Sequence, residues 1–570
     1  MSQEEKASSP MQYPRLNTQS CSPHAPQDTQ RYFLADLLFV LCATLVAWTS
    51  LQGCVELSGS GAMFDSDLGT YAQGMAAREH PEYFVNDEVL KNVTHHNSIW
   101  NLQTKLGELL TPGAAYAVGL MRSGALCIFV YYVAWYAFGR ALFGRPAFAL
   151  LLVFVQSVTC WVGWGTFWGV TFENPIPRVW FSAIYPILLW GCMKALEKPN
   201  LQPMVMLACG LSIWVHSISA LTVGAMTFLA FFLFKPEKIS LLTHCARSLA
   251  GLVLFFIPVL AFLWPTLSEE HVLSSADLEI LTSVFSIRYA KDYGALLQEL
   301  SKYLANYTFK MPLFPAALAA LWLVHKRGSA QLKQLVRLYA LFVLAIILVV
   351  LFSFAEGYWA RQQGHMPLGH ELVRGARFLI PLAWIVLVAG VYCVVGTRKL
   401  PVRCLACCIL AALLVFSADK QLIFALHTLH LDSISIHKQE IDSYAHEAQQ
   451  KTEAFAALKK YTNVGDVVFC NQPEAGIRHL ALRGIAYSFK DGANAFYDRD
   501  VDRGRKWLKY TSMMRQSPTG YIDAWLYSGV QWLLSDRIQD SSLLEKYGTI
   551  VWKNQSWLLV RKSQKRDQTP

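Results

Sequence analysis

Asp65, Asp67 and Tyr71 lie close together in the stretch GAMFDSDLGTYAQGMAAREHPEYFVND, residues 61–87. In a helix starting near Phe64, residues two apart point about 200° away from each other, so Asp65 and Asp67 cannot serve one ligand there. One can cap the helix, which leaves the other free. Asp67 and Tyr71 are four apart and share a face that Met75 continues. That face would offer a proton-accepting carboxylate beside a phenol. An N-cap carboxylate next to an interfacial tyrosine accounts for the same residues without chemistry.

A second group is cationic. Residues 355–378, AEGYWARQQGHMPLGHELVRGARF, hold Arg361, His365, His370, Arg374 and Arg377 among four glycines. If 371–378 begins a helix, Arg374 and Arg377 are three apart and share a face at its mouth. Guanidinium forks match phosphate oxygens, which makes the pair a candidate phosphate clamp, with His370 a candidate substrate contact. Arginines that snorkel to lipid headgroups are the bland alternative.

Glu173 is the one acid in WGTFWGVTFENPIPRVW, a candidate second carboxylate, and Arg178 opens the helix that follows two prolines. Prolines there otherwise mark only a turn and a helix start. His216, in SIWVHSISAL, is placed to donate to a phosphate or sugar, or simply to cap a turn. His95 and His96 are adjacent and point apart on a helix, a poor metal pair. No metal site is read from the sequence, and a divalent cation remains a possible cofactor.

These residues need a frame. The chain of 570 residues is 54% hydrophobic and only 16% charged, against a usual charged share of about 25%, so lipid must solvate part of it. The first apolar run, Asp36 to Val55, exceeds a signal-peptide core and follows a polar tail of low hydrophobicity, residues 1–32, expected to be disordered. Further runs fall near 114–137, 147–165, 179–196, 202–216, 218–234, 248–265, 311–325, 336–354, 376–396 and 402–418, giving about eleven transmembrane helices in residues 33–418. The pair 202–234 is read as two helices turning at His216, because one helix would put Lys194 and Lys235 on opposite faces.

Lys and Arg collect in cytoplasmic loops. With the N-terminus in the cytoplasm, alternate connectors carry Arg140 and Arg145, Lys194 and Lys198, Lys235 to Arg247, Lys326 to Arg337, and Arg398 to Arg403. The net charge of +10 is therefore mainly a topology signal, and no soluble segment is basic enough to suggest nucleic acid. Of the thirteen cysteines, most fall in apolar runs, where they pack as small hydrophobes. Cys404, Cys407 and Cys408 lack the second half of a zinc site.

The segments left on the outer side are a first loop over 56–112, loops over 266–310 and 355–378, and a region from 430 to 570. Leucine spacing in LLQELSKYL suits a helix along the membrane surface. The last region opens with a probable helix through EIDSYAHEAQQKTEAFAALKKY and continues with strand-like GDVVFC, WLLSDR and TIVWKNQSWLLVRK. A small extracytoplasmic α/β domain is the economical reading. The arginines and aromatics between Arg478 and Tyr510 are placed to grip an anionic sugar chain or to lie on headgroups, and a solvated charged face explains them as well.

An Asp just past the first span, with Tyr four residues on and a long helical first outer loop, resembles the GT-C fold glycosyltransferases that use lipid-linked sugars. Asp65-Ser66-Asp67 is similar to that family's Asp-x-Asp version, and PEYFVND and RGIAYSFKDG resemble uncharacterised bacterial membrane proteins grouped near this fold. The resemblance implies a polytopic α-helical GT-C-like membrane protein of a bacterial inner membrane. It implies a polyprenyl-phosphate-linked sugar as donor and a glycan, lipid or protein as acceptor, with membrane lipids around it. Asp67 would then serve as the carboxylate of transfer, Glu173 as an acid of the second outer loop, and Arg374 and Arg377 as lipid-phosphate arginines. Two rival classes remain. A transporter would place charges at the middle of spans, whereas these are nearly free of them apart from Arg122. A non-catalytic scaffold or lipid-binding membrane protein would leave Asp67 and Arg374 apart.

Overall fold

The structure is a computed structural model that describes residues 27–59, 61–63, 67–92, 98–111, 116–170, 175–236, 239–268, 274–289, 293–363, 369–395, 438–472 and 476–563. The run at 402–418 and Cys404, Cys407 and Cys408 lie outside the described residues, as do His95 and His96.

Among the described residues, six helices are long and apolar enough to cross a membrane. They are α1 (Gln27–Leu57), α4 (Tyr116–Phe143), α6 (Pro177–Glu197), α9 (Leu241–Ser268), α13 (Ala330–Gln362) and α14 (Leu379–Val395), the last extended backward by a 3₁₀ helix, His370–Phe378. A seventh is possible if α11 (Tyr293–Ala305), its π-helical end and α12 (Leu313–Arg327) form one span bent by 64°. Phe33, Leu34, Leu41 and Leu45 on α1 and Leu249, Ile257 and Trp264 on α9 are exposed. Such rows would be a liability in water and belong naturally in hydrocarbon.

The sequence reads 147–165 as one span, and here the structure differs. Helix α5 (Pro146–Ser157) stops after 12 residues. Strands β1 (Cys160–Gly163) and β2 (Thr166–Trp168) then pair as an antiparallel hairpin. Its two-residue turn holds Trp164 at φ 51° and Gly165 at φ 66°, the left-handed pair that tight hairpins require. The strain at Trp164 is offset by its backbone N–H, which donates to Glu299 Oε2 at 2.8 Å from α11. Between 202 and 234 the chain does form two helices, α7 (Gln202–Leu211) and α8 (Ser217–Leu233), with His216 as the N-cap of the second.

The long first loop carries α2 (Asp67–Glu79) and α3 (Ser98–Leu110). Helix α3 meets α4 backbone to backbone at Gly107 and Gly119, where a Cβ on Gly119 would sit 2.7 Å from the Gly107 carbonyl oxygen. Helix α10 (Ser275–Tyr289) is expected along the membrane surface. Its apolar face instead supplies Val284 and Phe285 to a core with Phe469, Phe496 and Trp507 of the C-terminal region.

That region begins with α15 (Lys438–Tyr461) and builds a five-stranded sheet in the order β4-β3-β5-β7-β6, from β3 (Val467–Cys470), β4 (Gly484–Ile485), β5 (Trp532–Ser535), β6 (Gly548–Lys553) and β7 (Leu558–Lys562). Strands β4, β3 and β5 are parallel, and β7 runs antiparallel to both β5 and β6.

Two arginines proposed for an outward grip point inward. Arg483 donates to Thr462 Oγ1 at 2.6 Å and to the Thr462 and Leu482 carbonyls. Arg478, 1% exposed, forks onto both Asp87 oxygens at 2.8 and 3.0 Å and both Asp491 oxygens at 3.0 and 2.9 Å. The two carboxylates outweigh burial and hold its guanidinium above the usual range. It also donates to Gln73 Oε1 at 3.3 Å. A buried charge set of this kind persists only when every lone pair finds a donor, and Asp87 meets that condition by accepting from the backbone N–H groups of Val89, Leu90 and Ile485. The C-terminal unit is thereby fastened to α2, the helix that begins at Asp67.

Candidate active site

Asp67 opens α2 and projects toward the start of α6. There Pro177 occupies the first turn, where its missing N–H is no loss, and Arg178 follows as the first long side chain. Arg178 Nη2 meets Asp67 Oδ2 at 2.7 Å. Its Nη1 donates to the Gly165 carbonyl at 2.6 Å, so the hairpin tip fixes the guanidinium from behind. The Phe167 ring lies beneath it at 5.5 Å. The Asp67 side chain stays 47% exposed and is open to an incoming group.

Tyr71, one turn along, packs against Trp100 of α3 with ring centroids 5.4 Å apart and the rings tilted by 58°. Burial first, and then the Asp67 carboxylate, hold its phenol well above the usual range while Arg178 pulls the other way. The phenol therefore stays a neutral donor at neutral pH.

On the opposite side, the 3₁₀ helix His370–Phe378 lies against α8. Its approach is close because Gly375 has no side chain; a Cβ there would meet Thr222 Oγ1 at 2.7 Å. With three residues per turn, Arg374 and Arg377 share a face, yet their partners differ. Arg374 Nη1 pairs with Glu371 Oε1 at 2.8 Å. Arg377 is 2% exposed, donates to Ser219 Oγ and stands over the Phe378 ring. Among the described residues no carboxylate pairs with Arg377, while Arg178 and Arg374 both act on it electrostatically.

Ser219 in turn faces His216 Nδ1 at 2.7 Å, and its backbone N–H donates to the same nitrogen at 3.3 Å. Burial first, then Arg377, Arg178 and Arg374, hold this imidazole well below its usual range. A neutral ring that accepts at Nδ1 carries its proton on Nε2. His216 is thus a neutral donor.

The structure therefore links Asp67 directly to Arg178, Tyr71 to both, and His216 to Arg178, Arg374 and Arg377. Asp65 and Glu173 lie outside the described residues, and His370 opens the 3₁₀ helix. The role of Gly165 as a hairpin carbonyl, and the relay from Arg377 through Ser219 to His216, are not read from the sequence. The signal available was VGWGTFW, residues 162–168, whose glycines fit a tight turn better than a span. Among the described residues no group of three or more His, Cys, Asp or Glu side chains gathers to hold a metal ion.

No family model and no curated protein matches the sequence. Eight solved chains match. One is the crystal structure of ArnT from Cupriavidus metallidurans bound to undecaprenyl phosphate, 12% identical, covering 93% of this chain and 98% of that one, with a TM-score of 0.46. At this identity and score the likeness carries no weight for the reaction, which must be read from the side chains themselves.

Those side chains gather positive charge. Among the described residues, three guanidinium groups, Arg178, Arg374 and Arg377, act together with two paired carboxylates, Asp67 and Glu371, leaving one cation in excess. An unpaired buried cation is expensive to maintain. A phosphate would supply the missing charge with bidentate acceptors.

Proposed function

We propose that this chain is a membrane glycosyltransferase that moves a sugar from a polyprenyl-phosphate carrier to an acceptor, with inversion. The observation that carries the reading is the buried Arg377, which has no carboxylate partner among the described residues, within electrostatic reach of Arg374 and of the Arg178 that pairs with the half-exposed Asp67.

In this scheme Asp67 takes the proton from an acceptor hydroxyl as that oxygen attacks the anomeric carbon. The bond from that carbon to the phosphate oxygen breaks, and its electron pair leaves with the phosphate. Arg377 and Arg374 receive the growing negative charge, and His216 Nε2–H adds a neutral donor. Arg178 orients Asp67, and the hairpin carbonyl of Gly165 orients Arg178. Glu173 and His370 are assigned to the substrate, Tyr71 donates to the sugar, and Asp65 takes no part in the proton transfer.

The site faces the outer side of a bacterial inner membrane, with residues 1–32 in the cytoplasm and 430–570 beyond the outer face. Charge alternation in the connectors supports this orientation. The acceptor is a glycan, a lipid or a protein. The Asp67–Arg178 pair equally suits a scaffold that only binds lipid, and the assay separates the two. Membranes containing the protein are given labelled polyprenyl-phosphate sugars, and products are extracted. Label leaving the carrier in an Asp67-dependent manner supports transfer; carrier that is bound but never consumed supports the scaffold.

A further inference from the structure

Along α2 from Asp67, a separate cavity of about 460 Å³ opens between α2, α3 and the first turn of α4. That volume is within the range of roughly 300 to 1,000 Å³ common for small-ligand sites. Its polar lining is Arg78, Glu79, Glu108, Thr111 and Tyr116. Arg78 lies eleven residues after Asp67, about 17 Å along the helix axis at 1.5 Å per residue. The transfer scheme uses none of these groups.

The charges are mixed and fixed. Arg78 sits 4.4 Å over the Trp100 ring, which sets its guanidinium on one wall. Burial pulls Arg78 down and Glu108 opposes it, which puts that carboxylate within electrostatic reach. Arg122, the lone charge early in the second span, donates from Nη1 to Thr111 Oγ1 at 3.0 Å, bringing a second cation behind the wall. One cation and two carboxylates thus line the space, with Arg122 behind Thr111.

Tyr116 adds a hydroxyl to this lining. The residue is 3% exposed, Glu79 lies beside its hydroxyl, and among the described residues the hydroxyl has no partner at full hydrogen-bonding geometry. A buried hydroxyl short of a good acceptor costs up to about 1 to 3 kcal/mol, part of which a bound acceptor would offset. The surroundings indicate where such a ligand comes from. The cavity lies where α4, long and apolar enough to cross a membrane, begins, and Leu109 and Leu110 beside Glu108 are 78% and 43% exposed.

We infer that this cavity binds the head group of a zwitterionic phospholipid, its phosphate toward Arg78 and the Tyr116 hydroxyl and its ammonium toward Glu79 and Glu108. The acyl chains then lie along Leu109 and Leu110. A purely anionic lipid would meet two carboxylates without compensation, whereas a head group carrying both charges satisfies both walls.

The test uses the full chain in detergent, delipidated and then mixed with equal amounts of phosphatidylethanolamine and phosphatidylglycerol of matched acyl chains. Native mass spectrometry reads the retained lipid. The wild type should retain phosphatidylethanolamine over phosphatidylglycerol by about fivefold or more. Glu79→Gln with Glu108→Gln should cut that preference about tenfold, as loss of a charged contact implies. Tyr116→Phe, which keeps the packing, should lower retention of phosphatidylethanolamine about threefold with an unchanged melting midpoint. Equal retention of the two lipids overturns the inference, as does a preference that survives all these substitutions. Free phosphoethanolamine is the second arm; if it binds while the lipid does not, the ligand is soluble and the assignment to a phospholipid is wrong.

Discussion

Arg377 is where a structural role and a binding role make opposite demands. Replacing it with Met keeps the length of the side chain and removes the charge, leaving Ser219 bonded to His216. If Arg377 served only to stabilise the bundle, its loss would lower the melting midpoint. The structure argues the reverse, because a guanidinium that is 2% exposed and unpaired among the described residues carries a desolvation penalty, of order several kcal/mol per buried ion. Against this stands one lost bond from the charged guanidinium to Ser219, worth about 1.5 to 3 kcal/mol. Arg377→Met should therefore melt at the same temperature as the wild type or higher. For the carrier lipid, losing one charge-assisted phosphate contact forfeits about 1.5 to 3 kcal/mol, and at about 1.4 kcal/mol per decade this weakens KM roughly ten- to a hundredfold. The assay pairs a melting curve in detergent with a titration of labelled carrier. A lower midpoint with unchanged carrier dependence would refute the phosphate role.

Further outcomes follow from the same geometry. Arg178→Lys keeps charge but cannot bridge Asp67 and the Gly165 carbonyl together, so kcat should drop at least about tenfold while carrier KM moves little; a change confined to KM would make Arg178 a substrate ligand. Burial holds the His479 imidazole down at about 3, against 6.5 when free, so below pH 6.5 the unfolded chain binds the extra proton and stability falls as pH falls. The loss should be about 1 kcal/mol between pH 6.5 and 5.5, and His479→Phe should flatten it in denaturant titrations of the full chain. A topology reporter fused after residue 430 should be active only outside the cytoplasm and one fused near residue 330 only inside, and the reverse pattern at either would remove the shared outer compartment.

How much of this was legible in the sequence depended on period and length. The spans at α4, α6, α9 and α13 are long uniform runs that admit one reading. The helix Lys438–Tyr461 and the strands at Val467–Cys470 and Trp532–Ser535 were equally plain from their patterning. The hairpin at Cys160–Trp168 was not, because β2 is buried at every position and β1 is only four residues long, and hydropathy alone cannot separate such short apolar strands from a buried helix. Arg478 was misjudged for a related reason. Its carboxylate partners Asp87 and Asp491 lie 391 and 13 residues away, and nothing local distinguishes a solvated arginine from one awaiting a distant acid. At the candidate site, residue types pointed to Asp67, Arg178, His216, Arg374 and Arg377 separately. Their juxtaposition came from Gly375 and the hairpin, which bring α8, α6 and the 3₁₀ helix together.

The most direct measurement is turnover of a labelled polyprenyl-phosphate sugar by Asp67→Asn, with carrier binding measured on the same preparation. Asn keeps the shape and much of the polarity but cannot take a proton, so turnover should fall about a hundredfold or more while expression and carrier binding persist. Asp65→Asn in the same assay should cost little turnover. Full activity in the Asp67 variant would contradict the assignment of this carboxylate as the base, and with it the glycosyltransferase reading.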